Sequence, residues 1–164
     1  MTETRRSTPQ RISLQEAYQG VAVHIDHAYT GQHLNPHGYA GGEGTCVLFD
    51  DHDDANWLGE SWILEPQDDG TVKIKNNQTS LYLAALSNPT YQLFRAEVRL
   101  PATNETPPPA GHTWEKRWVL NPAGFGEVFT IRPAGDHTLA ISPHATAPVG
   151  TPAPSCRSST KART

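Results

Sequence analysis

The chain repeats itself about every fifty residues, and this repeat limits the folds open to it. Two tryptophan segments show it, because WILEP (62–66) and WVLNP (118–122) are near copies. Each is followed by a glycine, Gly70 or Gly126, and then by a short stretch in which apolar and polar residues alternate. Such alternation, bounded by Gly, Asn and Pro, is typical of a half-buried β-hairpin.

A third copy lies upstream, with Ile12 in the position of the tryptophans. It continues at the same distance with Gly20 and then with the alternating stretch 21–25. The repeats span residues 10–60, 61–116 and 117–155, and we expect residues 1–9 and 156–164 to be flexible tails. Either the segment around Ile12 completes the last repeat, in a circularly shifted order, or that repeat is incomplete.

Each repeat has room for about four short strands, and a unit of that size cannot bury an apolar face alone. The three units must therefore share one core, and closing them around a pseudo-threefold axis leaves few free edges. We predict one all-β domain with the β-trefoil arrangement. A three-bladed propeller is the competing threefold arrangement, but this chain would make a very small one. No stretch has the composition of a long helix.

The order of motifs resembles the ricin B-chain-like β-trefoil lectins, especially the small cytoplasmic ones of fungi. The best match runs from RWVLNP (117–122) to EVFTI (127–131), and the resemblance covers residues 10–155. The family carries Gln-x-Trp in each repeat. Here Glu60 and Lys116 stand two positions before the tryptophans, and Gln10 stands before Ile12. The resemblance implies a non-catalytic trefoil that binds carbohydrate.

The resemblance also implies where a sugar would bind. The family uses a carboxylate after the second-strand leucine, an aromatic ring on the third strand and an amide just before the last strand. Carried onto the first repeat, this gives a carbohydrate-binding set: Asn35, Tyr39, Phe49, Asp51, His52, Asn56 and Trp57. The alternative roles are a core side chain for Phe49 and a turn amide for Asn35. The second repeat has Ala84 at the acidic position, so we expect it to be impaired.

Charge and composition exclude several classes of function. The net charge is −4, from 13 basic and 17 acidic residues, which argues against a nucleic-acid binder. The first residues contain arginines but no apolar run, and no window approaches the ~20 apolar residues of a membrane span. We therefore expect no membrane insertion, and a location in the cytoplasm or release without a standard signal peptide.

Metal and catalytic chemistry find little support in the spacing of residues. The acidic run DDHDD (50–54) lacks the glycine and glutamate of an EF-hand loop. His24 and His27, three apart on a strand, point to opposite faces, so we expect no metal site. There is no Gly-x-Ser-x-Gly motif and no phosphate-binding glycine loop. We expect no catalytic residues and no cofactor.

The expected partners are glycans or glycoproteins of galactose or N-acetylgalactosamine type, and a homodimer would add avidity. Two other functions remain open. Trefoils similar to the Kunitz-type and fungal protease inhibitors place one exposed loop in a protease, and residues 101–111, which include three consecutive prolines, are long enough for that role. A receptor-binding module of a toxin is the other.

Overall fold

The computed structural model describes most of the chain. The described residues are 11–41, 44–54, 56–87, 96–124, 128–136, 139–141 and 155–158. For residues 37–41, 44, 87, 96–97 and 155–158 only the backbone is described.

The described residues form strands and almost no helix, which confirms the all-β prediction. The strands are β1 (Val23–Asp26), β2 (His33–Gly41), β3 (Gly44–Asp50), β4 (Trp62–Pro66), β5 (Val72–Asn76), β6 (Ala84–Ser87), β7 (Ala96–Leu100), β8 (Trp114–Glu115), β9 (Trp118–Pro122), β10 (Phe129–Pro133) and β11 (Ser155–Ser158). The helices are α1 (Leu14–Ala17) and a single 3-10 turn, η1 (Leu58–Glu60). None of the helices in the described part is long and apolar enough to span a membrane.

The strands pair in one antiparallel sheet. Ten of them follow the order β10-β9-β5-β4-β1-β2-β3-β7-β6-β8, and β11 pairs with β1. β1 has three neighbours, because β11 pairs along its whole length while β2 pairs with it at Asp26 and β4 at Val23. We expected residues 156–164 to be a flexible tail, but the structure places 155–158 beside β1 as a strand.

The two tryptophan segments form matching hairpins. β4 pairs with β5 from Trp62↔Asn76 to Pro66↔Val72, and β9 pairs with β10 from Trp118↔Pro133 to Pro122↔Phe129. In β5 and β10 the burial alternates along the strand, as half-buried strands require. The repeat in the sequence is thus a repeat of hairpins.

The two tryptophans anchor the core, as their repetition predicts. Both side chains are fully buried. Trp62 Nε1 donates to the Leu34 carbonyl at 2.8 Å, and Trp118 Nε1 donates to the Leu83 carbonyl at 3.0 Å. Each ring thereby fills core volume and satisfies a buried carbonyl of the preceding repeat.

Ile12 and Leu14 pack against the same core from the N-terminal side. Between them Ser13 begins α1 with a capping box, because its side chain accepts from the Glu16 amide and Glu16 reaches back to Ser13. The cap satisfies backbone amides at the start of this short helix.

Candidate functional site

The candidate site is the loop of residues 51–57, which leaves β3 and leads through η1 into β4. Asn35, fully buried on β2, fastens the start of this loop. Its Nδ2 donates to Asp50 Oδ1 at 2.6 Å and to the His52 carbonyl at 2.9 Å. Asp50 Oδ1 also accepts from the His52 amide at 3.0 Å. One buried amide thus joins two strands to the loop.

Glu60 fastens the other end of the loop. Its carboxylate is 0% exposed, and it accepts from the His52 ring and, at 2.8 Å, from the Asp54 amide. The Asp54 side chain in turn accepts from the Asn56 amide at 2.9 Å. Glu60 stands two residues before Trp62, at the position of the family's glutamine. The loop is therefore wrapped around a buried carboxylate.

Trp57 is the aromatic side chain of the loop. Its Nε1 donates to Gln78 Oε1, in the second repeat, at 3.0 Å. The His52 ring meets it edge to face, with centroids 5.5 Å apart. A Cβ added at Gly59 would collide with the indole and would lie 2.8 Å from Gln78 Oε1. Glycine at position 59 therefore lets the half-exposed indole lie directly against the backbone.

The structure separates the predicted sugar-binding residues into two groups. Asp51, His52 and Asn56 are exposed and share the loop with the half-exposed Trp57. Phe49 is only 5% exposed and packs its ring against His27, with centroids 5.4 Å apart.

Phe49 thus occupies the core role considered for it, whereas Asn35 lies within strand β2 and not in a turn before Pro36, and its buried amide holds Asp50 and His52. The side chain of Tyr39 lies outside the described residues. Direct sugar contact by any of these residues stays a prediction.

Sequence reasoning missed three residues that shape the loop: Gly59, Glu60 and Gln78. A signal existed for Glu60, because it replaces the family's glutamine in the motif before Trp62. Gln78 lies in another repeat and Gly59 acts through its missing side chain, so no local pattern marks either of them.

A polar cluster lies beneath the loop. His33 Nδ1 is 2.7 Å from Asp26 Oδ1, and His33 Nε2 is 3.6 Å from Asp53 Oδ2. His24, Asp53 and Glu60 also each offer one potential metal-ligating atom, and these three atoms lie within 4.8 Å of one another. The expectation of no metal site rested on the spacing of His24 and His27, whereas the fold brings His24 together with Asp53 and Glu60, which are distant in sequence.

His27 is directed elsewhere. The Thr30 amide donates to its Nδ1 at 3.1 Å, and its ring packs against Phe49. Burial lowers the pKa of His27 below its ordinary value of 6.5. The ring is therefore neutral at physiological pH and serves as a turn acceptor.

The corresponding strands of the second repeat carry an ion pair at their surface. Lys75 Nζ lies 2.9 Å from Glu65 Oε2, and Tyr82 Oη donates to Glu65 Oε1 at 2.7 Å. Burial alone would raise the pKa of Glu65, but these hydrogen bonds and the charges of Lys75 and Lys73 outweigh it and hold that pKa below its usual value. The acidic position after Leu83 is filled by Ala84, which is fully buried.

Comparison with known proteins supports the fold. No family model and no curated protein matches the sequence. Solved structures of similar fold include a Caenorhabditis elegans protein of unknown function, with TM-score 0.57, 14% identity, and coverage of 86% of this chain and 88% of that one. The Rhizoctonia solani agglutinin has TM-score 0.57 and 16% identity, covering 88% and 96%.

A Culex salivary protein of the Cysteine and Tryptophan-Rich family is also similar, with TM-score 0.55, 12% identity, and coverage of 85% and 94%. At these identities the likeness concerns the fold. It supports an all-β architecture.

Proposed function

We propose that this protein is a non-catalytic lectin, a ricin B-like β-trefoil that binds glycans through the loop 51–57 of its first repeat. The observation that carries the proposal is the half-exposed Trp57, held by Gln78 and His52 among exposed polar side chains. The fold shared with an agglutinin over most of both chains supports the same function.

The repeated core contact supports the trefoil arrangement. Trp62 and Trp118 each donate to a leucine carbonyl of the repeat before their own. The same contact at two successive repeat boundaries fits repeats arranged by threefold symmetry around a shared core.

The loop has the chemistry that shallow sugar sites use. An aromatic ring packs against the C–H face of a pyranose, while carboxylate, amide and imidazole groups bond to its hydroxyls. Trp57 would supply the ring, and Asp51, His52 and Asn56 the polar groups. Asn35 and Phe49 would act as positioning residues, because the first fixes the loop and the second fills the core below it. Terminal galactose or N-acetylgalactosamine is the favoured ligand class.

A glycan array probed with labelled protein tests this proposal. We expect a set of hits that share one terminal sugar and that the free sugar competes away. Trp57→Ala should abolish these hits while circular dichroism and melting show a folded protein. Tyr29→Ala is the matched control, because Tyr29 is an aromatic residue, 63% exposed, on the β1–β2 turn outside the loop. A blank array with folded protein would contradict the lectin function, and unchanged binding by Trp57→Ala would contradict the site on loop 51–57.

Protease inhibition is the second candidate, and the geometry of residues 101–111 favours it. Asn104 fastens the first half of this loop, since its Nδ2 donates to the Ser80 carbonyl at 3.1 Å and its Oδ1 accepts from the Tyr82 amide at 3.0 Å. Pro107 and Pro108 then project into solvent. A stiff exposed loop on a fixed base loses little entropy on entering a cleft.

A protease panel separates the two candidates. If the chain is an inhibitor, replacing residues 107–109 with Gly-Ser-Gly should remove inhibition and leave any glycan binding intact.

We propose glycans or glycoproteins as partners, no cofactor and no enzymatic activity. We also propose that the protein is located in the cytoplasm or released without a signal peptide. A homodimer would raise avidity.

A further inference from the structure

Metal-ligating side chains from three elements meet beneath the loop. His24 of β1, Asp53 of the loop and Glu60 of η1 each offer one ligand atom, and these atoms lie within 4.8 Å of one another. His24 and Glu60 are buried, while Asp53 is partly exposed at the mouth of the cluster. We propose that these three side chains bind one divalent transition-metal ion of the Zn²⁺ class.

The donor set suits that ion. Imidazole nitrogen and carboxylate oxygen bind Zn²⁺ at about 2.0–2.2 Å, and three protein ligands plus one further ligand are a common arrangement. Ligands at that distance around a tetrahedral ion are about 3.4 Å apart. The three ligand atoms lie within 4.8 Å of one another, so binding requires them to draw together to that spacing. Asp53 is the exposed member, and because His52 and Asp54 on either side of it are held by hydrogen bonds, the movement is confined to its side chain.

His33 lies beside the proposed ligand Asp53. Its Nδ1 is 2.7 Å from Asp26 Oδ1, and its Nε2 faces the Asp53 carboxylate at 3.6 Å. Groups that contact a metal ligand from behind orient that ligand. His33 thus positions Asp53, and the proposed ligands remain His24, Asp53 and Glu60.

Charge balance also favours a cation. Asp53 and Glu60 bring two carboxylates to one place, and Glu60 is fully buried. Like charges in a poorly solvated site repel, and a divalent cation between them removes the repulsion. The His52 ring also contacts Glu60, so His52 is the alternative partner of that carboxylate. The experiment has to distinguish these two ways of balancing the charge.

Titration of the chelator-stripped full-length chain with Zn²⁺ tests the proposal. By calorimetry we expect one Zn²⁺ per chain, a raised melting temperature, and no comparable effect of Ca²⁺ or Mg²⁺. Asp53→Asn keeps the shape of a partly exposed side chain and should weaken Zn²⁺ binding at least roughly tenfold. Asp68→Asn, which changes an exposed carboxylate in the β4–β5 turn, is the matched control and should bind as the unchanged chain does.

Two results would overturn the proposal. One is a folded, metal-stripped chain that does not bind Zn²⁺, which would leave His52 as the partner that balances Glu60. The other is Zn²⁺ binding that Asp53→Asn does not weaken, which would place the ion elsewhere. Four-coordinate Co²⁺ absorption bands that Asp53→Asn removes would support the site independently. Metal binding is measured without any glycan, so its failure and that of the lectin proposal are distinguishable.

Discussion

The first and second repeats share one backbone design and differ in polar chemistry. Thr30 N–H donates to His27 Nδ1 at 3.1 Å in the first repeat, and Thr79 N–H donates to Asn76 Oδ1 at 3.1 Å in the second. Both turns are closed alike, by Gly31 N to His27 O at 2.8 Å and by Ser80 N to Asn76 O at 2.9 Å. Two side chains of different chemistry therefore act as the same turn acceptor.

The next paired residues show where the repeats diverge. Asp26 is opposite His33 in the first repeat, and Lys75 is opposite Tyr82 in the second. In the first pair His33 faces Asp53 of the loop, whereas both members of the second contact Glu65.

The residue two positions before each core tryptophan also differs between the repeats. Glu60 accepts from loop 51–57, and Lys116 donates to the Asn104 carbonyl of loop 101–111. The core positions that build the fold are common to both repeats. The polar side chains that could bind a sugar or a metal ion are concentrated in the first repeat.

The largest expected effect tests whether the two tryptophans are equivalent. Trp62→Phe and Trp118→Phe each remove an indole N–H from a buried carbonyl and leave a small cavity. We expect each to lower the free energy of unfolding by about 2–3 kcal/mol, measured by urea denaturation. Trp57→Phe is the control, because its half-exposed ring loses only the bond to Gln78 and should cost below about 1 kcal/mol. A large cost at one core tryptophan and little at the other would disprove their equivalence.

A pH experiment tests the exchange of His27 for Asn76. Burial lowers the pKa of His27, so on acidification the unfolded chain takes up a proton that the folded chain refuses. The stability that His27 contributes is complete above its unfolded pKa and is lost as the pH falls below it, by at most about 1.4 kcal/mol per pH unit.

His27→Asn, which copies the second repeat, should keep near-normal stability at neutral pH and lose less between about pH 7.5 and pH 5.5. Urea denaturation of both proteins across this range measures the difference, since the other histidines are present in both. If the free energies of unfolding of the two proteins change in parallel with pH, the folded chain takes up a proton at His27 as readily as the unfolded chain does.

The sequence was informative where the same residue type recurs at the same place. Trp62 and Trp118, with the alternating strands after them, predicted the hairpins and the buried anchors because burial on a strand depends on local period. The site was less accessible to such reasoning. Its geometry depends on His24, Asp53 and Glu60 meeting across three elements, and on Gln78 of a different repeat. Those contacts are made by the tertiary fold, and the family resemblance directed attention to Asn35 and Phe49, which are buried.

The smallest expected effect concerns the turns that the two repeats share. Gly31 has φ +74° in the first turn, and Ser80 takes its place in the second with φ 61°. A side chain in this left-handed region costs about 1–2 kcal/mol, whereas glycine makes the unfolded chain more flexible by about 0.4–1 kcal/mol. Ser80→Gly should therefore raise the free energy of unfolding by about 0.5 kcal/mol net.

The converse change, Gly31→Ser, isolates the backbone contribution. A Cβ at Gly31 would meet nothing within 4 Å, so steric contact adds no cost and the loss comes from conformation alone. We expect about 0.5 kcal/mol of destabilisation by urea denaturation, equal and opposite to the gain from Ser80→Gly. If Gly31→Ser lowers the free energy of unfolding several times more than Ser80→Gly raises it, the two turns differ in more than this residue. The similarity between the two repeats would then be limited to their strands.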